Sequence, residues 1–109
     1  MTGTVYTAGK ARVVPASGKI YDITHADTNE HSVALPAGYP ANTKAILIRS
    51  TRMAGTGNIY LRSVSGQTGY LISSLWGGLW FRASDGLFYY NLSVANDDWD
   101  INAMGRIEA

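Results

Sequence analysis

Glycine punctuates this chain at short intervals, and that spacing decides what it can fold into. Twelve glycines are spread through 109 residues. Each would cost about 1 kcal/mol inside a helix relative to alanine, so few windows favour a long helix. Between the glycines lie short runs rich in Val, Ile, Thr, Tyr, Trp and Phe. Such side chains suit a pleated, half-buried surface.

The clearest strand runs from Thr43 to Met53. Ile46, Ile48 and Ser50 fall on one face, and Ala45, Leu47 and Arg49 on the other. Apolar residues on both faces predict a strand in the middle of a sheet. The break Gly55-Thr56-Gly57-Asn58 predicts a hairpin over residues 44–64. Ala83-Ser84-Asp85-Gly86 predicts a second, joining Leu79–Arg82 to the alternating run 86–95. In that run Phe88, Tyr90, Leu92 and Val94 share one face. From Trp99 to Glu108, Trp99, Ile101, Ala103, Gly105 and Ile107 are expected inward, with Asp100, Asn102, Met104, Arg106 and Glu108 outward. Lys10–Val14, Lys19–Thr24 and His31–Leu35 read as three further strands. The expected fold is all-β: a two-sheet antiparallel β-sandwich, with a jelly roll as one form of it. It would have about eight or nine strands and little helix, at most one turn within Thr24–Glu30. Residues 1–14 are read as an N-terminal arm and first strand suited to docking, and 15–109 as the sandwich domain.

Composition narrows the function. Hydrophobic residues make up 46% and charged residues 16%, a charge content well below the usual quarter. Nine basic and eight acidic residues give a net charge of +1. No dense basic stripe is available to neutralise phosphates, so nucleic acid is not an expected partner. No apolar run approaches the roughly 18 residues of a membrane span, and the opening residues do not read as a signal peptide. Without cysteine there is no disulfide framework, thiolate nucleophile or Cys-based zinc site.

Four blocks, Ser17 to His25, His31 to Gly38, Thr43 to Ile48 and Ala95 to Ile101, together resemble small all-β structural modules of tailed-phage virions. Such modules occur as capsid decoration proteins, head fibres and tail-associated domains. The resemblance implies a non-enzymatic building block, located in the virion, that self-associates and docks on another virion protein. It carries no residue roles with it.

Few constellations point to chemistry. Asp97, Asp98 and Asp100 offer hard oxygen ligands to a divalent cation, but the spacing is not that of an EF-hand loop. Asp22, His25, Asp27, Glu30 and His31 could bind zinc or form an acid–base pair, but the His25–His31 spacing is not a helical pair and no third imidazole exists, so a polar loop joining two strands is the reading preferred. There is no Gly-x-Ser-x-Gly elbow and no phosphate loop. No cofactor and no catalytic residue is expected.

The stretch from Gly69 to Phe81 is the most informative. Tyr70, Leu75, Trp76, Leu79, Trp80 and Phe81 are too much apolar bulk for one face of a short strand, and Trp80 and Phe81 must point to opposite sides. These six are expected to form an oligomer interface, in a trimer about a symmetry axis. Tyr39, Tyr60 and Tyr89 are candidate surface-binding aromatics. With nearby amides and carboxylates, they suit an alternative reading as a carbohydrate-binding module or receptor-binding tip.

Overall fold

Every ladder among the described residues is antiparallel, and these ladders build two sheets. The computed structural model describes residues 12–67, 70–72 and 77–109, the side chains of 70–72 excepted. In chain order the strands are β1 (Arg12–Thr24), β2 (His31–Val33), β3 (Thr43–Ala54), β4 (Ile59–Arg62), β5 (Tyr70–Ile72), β6 (Gly77–Phe81), β7 (Phe88–Leu92) and β8 (Asp98–Glu108). The longer sheet has the order β1-β8-β3-β6 and the shorter β2-β7-β4-β5. The described residues contain no helix; Thr24 ends β1, and the residues after it to Glu30 are bends and irregular chain. The all-β class and the two antiparallel sheets are as the sequence predicts.

Pairing is nested. β1 pairs with β8, β2 with β7, β3 with β6 and β4 with β5. The ribbon so formed doubles back between β4 and β5, and the ladders β3–β8 and β4–β7 close the two sheets. Both predicted hairpins are therefore corrected. β3 and β4 lie in different sheets, as do β6 and β7. The Ala83–Gly86 turn does form, with the Gly86 N–H donating to Ala83 O at 2.9 Å. Its flanking strands then part, because Trp80 and Phe88 meet across the core at a ring separation of 5.0 Å.

The core lies between the sheets. Ile23, Ile46, Ile48, Trp80, Trp99 and Ile101 come from the longer sheet; Ile59, Leu61, Phe88, Tyr90 and Leu92 come from the shorter. β3 sits between β8 and β6, the interior position its two apolar faces predict. β1 is one continuous strand where the sequence suggests two. Pro15 is tolerated because β1 is an edge strand that need not donate on its outer side. The disruption is absorbed by register shifts between Pro15 and Gly18 and between Lys19 and Tyr21.

β8 carries the most consequential irregularity. Ile48 pairs with Ala103 and Leu47 with Gly105, so Met104 is an extra residue in the ladder. Because strand side chains alternate, one extra residue exchanges the faces of everything beyond it. Trp99, Ile101 and Ala103 are buried as predicted. Gly105 and Ile107 are turned to the outer face, contrary to the simple alternation, and a Cβ on Gly105 would point at Leu47. Arg106 and Glu108 turn inward. Glu108 is buried and accepts from Arg106 Nε at 2.8 Å and Arg12 Nη2 at 3.0 Å. Those two hydrogen bonds hold its carboxyl below the usual range. The Arg106 guanidinium lies 5.5 Å from the Tyr39 ring centroid, and the loop bearing Tyr39 packs on this end of the core.

At the opposite end Asp97 fixes the crossing from β3 to β4. Its carboxylate is buried and accepts from the backbone N–H of Gly57 at 2.6 Å and of Thr56 at 3.4 Å. Gly55 has φ +104°, and a Cβ there would stand 1.8 Å from Asp97 Oδ1. Glycine is needed both for the left-handed backbone and for the approach of the carboxylate. Asp97→Ala leaves the buried Gly57 donor unsatisfied and should cost about 2 kcal/mol, read as a lowered urea midpoint with unchanged slope. Gly55→Ala should cost at least as much.

Candidate functional site

The outer face of the longer sheet carries a band of apolar side chains two residues deep. Register places Val13, Ile107, Ala45 and Phe81 in one row across β1, β8, β3 and β6. Pro15, Gly105, Leu47 and Leu79 form the next row. Val13 is 73% exposed, Phe81 47% and Leu79 41%, and Met104 beside them 54%, whereas Ala45 and Gly105 in the middle of the rows are buried and Leu47 and Ile107 half-buried. This band exists because the bulge turns Gly105 and Ile107 outward. Without it Arg106 and Glu108 would occupy those rows.

The expected interface residues divide accordingly. Leu79 and Phe81 lie on the band. Trp80, expected among them, is corrected: it is 1% exposed, inside the subunit, with Nε1 donating to Arg62 O at 3.2 Å. Strand alternation separates it from its neighbours, as the adjacency of Trp80 and Phe81 implies. Leu75 and Trp76 lie outside the described residues, as does the side chain of Tyr70 and residues 1–11 of the proposed arm. Sequence inspection missed Val13, Pro15, Leu47, Gly105 and Ile107 as a surface, since they come from three strands that only the ladders bring together.

The tyrosines do not gather at one place. Tyr60 and Tyr89 share the outer face of the shorter sheet, on neighbouring strands where Tyr60 pairs with Asn91 and Arg62 with Tyr89. Arg62 donates to Asn91 Oδ1, and its Nε lies 3.6 Å from Glu30 Oε1. Tyr89 Oη donates to Asp85, and that hydrogen bond raises the phenol pKa. Tyr39 stands apart, packed against the core and Arg106.

The acidic cluster is composed differently from the sequence expectation. Asp97 is withdrawn into the β3–β4 crossing, and Asp22 of β1 takes its place beside Asp98 and Asp100. The β1–β8 ladder sets Asp22 opposite Asp100. The three carboxylates come within 4.8 Å of one another. Lys19 Nζ lies 3.6 Å from Asp22 and 3.7 Å from Asp100. An ammonium thus supplies positive charge where a cation would sit. The Asp98 pKa is raised from 3.8, first by desolvation, then by the hydrogen bond with Asp22 and the charges of Asp22 and Asp100.

His25 of the loop between β1 and β2 and His31 at the start of β2 lie against each other and beside Tyr90 of β7. His25 and His31 stack at 3.7 Å with their rings 5° from parallel. His31 Nε2 lies 2.7 Å from Asp27 Oδ1, and His25 Nε2 is 2.5 Å from the hydroxyl of buried Tyr90. Burial raises the Tyr90 pKa, and the Asp27 charge adds to this. The hydrogen bond from His31 lowers that of Asp27. Both imidazoles are spent on ring stacking and local partners, and neither meets the zinc expectation: the described residues bring together only Asp22, Asp98 and Asp100 as a metal-type cluster. A cleft of about 360 Å³ is lined by Thr43, Lys44, Arg82, Asp85 and neighbours. Arg82 there is committed to Gly86 O and Ala41 O.

Comparison with protein-family models, with curated proteins and with solved structures finds no match to this chain.

The Asp98 shift fixes a sign. Its folded pKa exceeds the unfolded value, so between the two the native state holds more protons and stability falls as pH rises through that window. At neutral pH the ionised Asp98 carboxylate therefore counts against the folded state. Asp98→Asn should raise the melting temperature at pH 7 and flatten the fall in stability above pH 3.8, measured by thermal scans from pH 3 to 8.

Proposed function

We propose that this protein is a non-enzymatic structural module that self-associates and attaches to a larger assembly, of the kind that decorates a phage capsid or tail. The apolar band on the outer face of the longer sheet carries this reading. Val13, Leu79, Phe81 and Met104 are its exposed members, and aromatic and aliphatic anchors of this sort are what protein interfaces bury.

The strand orders support a finer description. Two four-stranded sheets with nested pairing and crossings between sheets match a jelly-roll arrangement, an architecture used by viral capsid proteins and lectins. That analogy is one of fold, and the surface supplies the functional argument. The four residue blocks that resemble virion modules lie on β1, β2, β3 and the start of β8, the parts of the chain that build this arrangement.

A second reading is favoured by one observation: Tyr60 and Tyr89 flank Arg62 and Asn91 on the outer face of the shorter sheet. Aromatic rings beside an amide and a guanidinium suit stacking and hydrogen bonding to a sugar.

Light scattering at micromolar concentration tests the first reading. An oligomer is expected, and Phe81→Ser should shift it toward monomer while leaving the melting temperature nearly unchanged, because the ring is half-exposed in the subunit. A wild-type chain that is monomeric throughout sinks the proposal. A monomer that gains melting temperature with an oligosaccharide, and loses the gain on Tyr60→Ala, would replace it with the second reading.

A further inference from the structure

We infer that two copies of this chain join edge to edge through β6, in antiparallel register about Leu79. The inference rests on the self-association reading and specifies how it is achieved.

A free sheet edge is a template for another strand unless it is guarded. Three of the four edge strands are guarded. β1 carries Pro15, Lys19 and two register shifts, while β2 and β5 are three residues long. β6 is the exception. Its five residues, Gly77-Gly78-Leu79-Trp80-Phe81, include no proline and no charge. Among the described residues its only strand neighbour is β3.

The hydrogen-bonding parity of that edge follows from the β3 ladder. Arg82 N–H donates to Lys44 O at 2.9 Å, and the register runs from Ala45 opposite Phe81 to Arg49 opposite Gly77. In an antiparallel ladder alternate residues bond to the same neighbour. Trp80 and Gly78 therefore turn their backbone groups toward β3. Gly77, Leu79 and Phe81 turn theirs to the free side. Those are also the residues whose side chains lie on the outer face.

A two-fold axis at Leu79 satisfies all of these groups at once. Leu79 faces the partner's Leu79 as a hydrogen-bonded pair, and Gly77 faces the partner's Phe81. On the inner face Gly78 comes opposite the partner's Trp80. Each aromatic thus meets a glycine, where there is no side chain to collide with it and a bare backbone for the ring to cover. No like charges are brought together. The pairing joins the two longer sheets into one and makes the apolar band continuous across both copies, which leaves it available to a third surface.

An isologous contact of this type closes at two copies, so the expected mass is that of a dimer. Leu79→Pro should give a monomer with an unchanged circular dichroism spectrum, because the Leu79 N–H makes no bond to β3. Leu79→Lys serves the same purpose should the proline variant fail to fold. The chain has no cysteine, so a single introduced thiol reports register. Paired Cα atoms at Leu79 would be about 5.5 Å apart, within disulfide range, and Leu79→Cys should couple covalently under diamide. Phe81→Cys should not, its Cα pair standing about 15 Å apart, four residues of roughly 3.4 Å rise along the strands and ~5.5 Å across them. A trimer, or a dimer retained by both Leu79→Pro and Leu79→Lys, overturns the edge pairing and leaves self-association standing. Coupling at Phe81→Cys in preference to Leu79→Cys overturns the register. A monomeric wild type removes both.

Discussion

One extra residue in β8 sets the character of the whole longer sheet. β8 lies between β1 and β3 and is paired along nearly its full length on both sides. Its first half turns Trp99, Ile101 and Ala103 into the core. At Met104 the alternation slips, and the same strand turns Gly105 and Ile107 to the outside. Two consequences follow from a single backbone irregularity. Arg106 and Glu108 are brought inward, where Glu108 is buried between Arg106 and Arg12. An apolar band appears on the outer face, where solvent would otherwise meet charge. The bulge is matched on both neighbours, by the shift between Pro15 and Gly18 in β1 and between Leu47 and Ile48 in β3. It is thus built into the ladders on either side.

The remainder of the molecule holds this sheet in place. The ribbon doubles back between β4 and β5, so the strands most distant in sequence, β1 and β8, become neighbours. Such pairing has a large loop-closure cost, offset by the burial of Trp80, Trp99, Phe88 and the isoleucines between the sheets. The crossings are secured by polar groups at the ends. Asp97 reaches back to the Gly55–Gly57 turn, and Asn58 N–H donates to Ser93 Oγ at 2.7 Å. His25 and His31 stack on each other beside the tilted ring of Tyr90. Asp97, His25 and His31 thus hold loops and strand ends in place.

Surface and edge point to the same part of the fold. Phe81 and Leu79 belong both to the apolar band and to the edge strand that, among the described residues, carries no proline, charge or register shift. β6 combines a glycine pair, an aromatic pair and a central leucine. A strand of this composition is a hazard for open-ended aggregation unless it has a defined partner, and a symmetric one closes the contact.

Much of the fold is legible in the residues themselves. Glycine spacing and β-branched runs fix an all-strand chain, the two-faced apolarity of Thr43–Met53 fixes β3 as an interior strand, and alternation fixes Phe88, Tyr90 and Leu92 as core. The opposition of Trp80 and Phe81 is also readable, although which of the two is buried is not. Tertiary structure decided the rest. The turns at Gly55 and Ala83 look like hairpin turns because local chemistry dictates a reversal and is silent on which strand will lie alongside. Asp97 and Asp22 exchange places in the acidic cluster for the same reason: ladder register, set by contacts far apart in sequence, chooses the neighbours. The outer band was invisible because one unpaired residue at Met104 inverts every side chain after it, and only pairing with β1 and β3 shows where that residue lies.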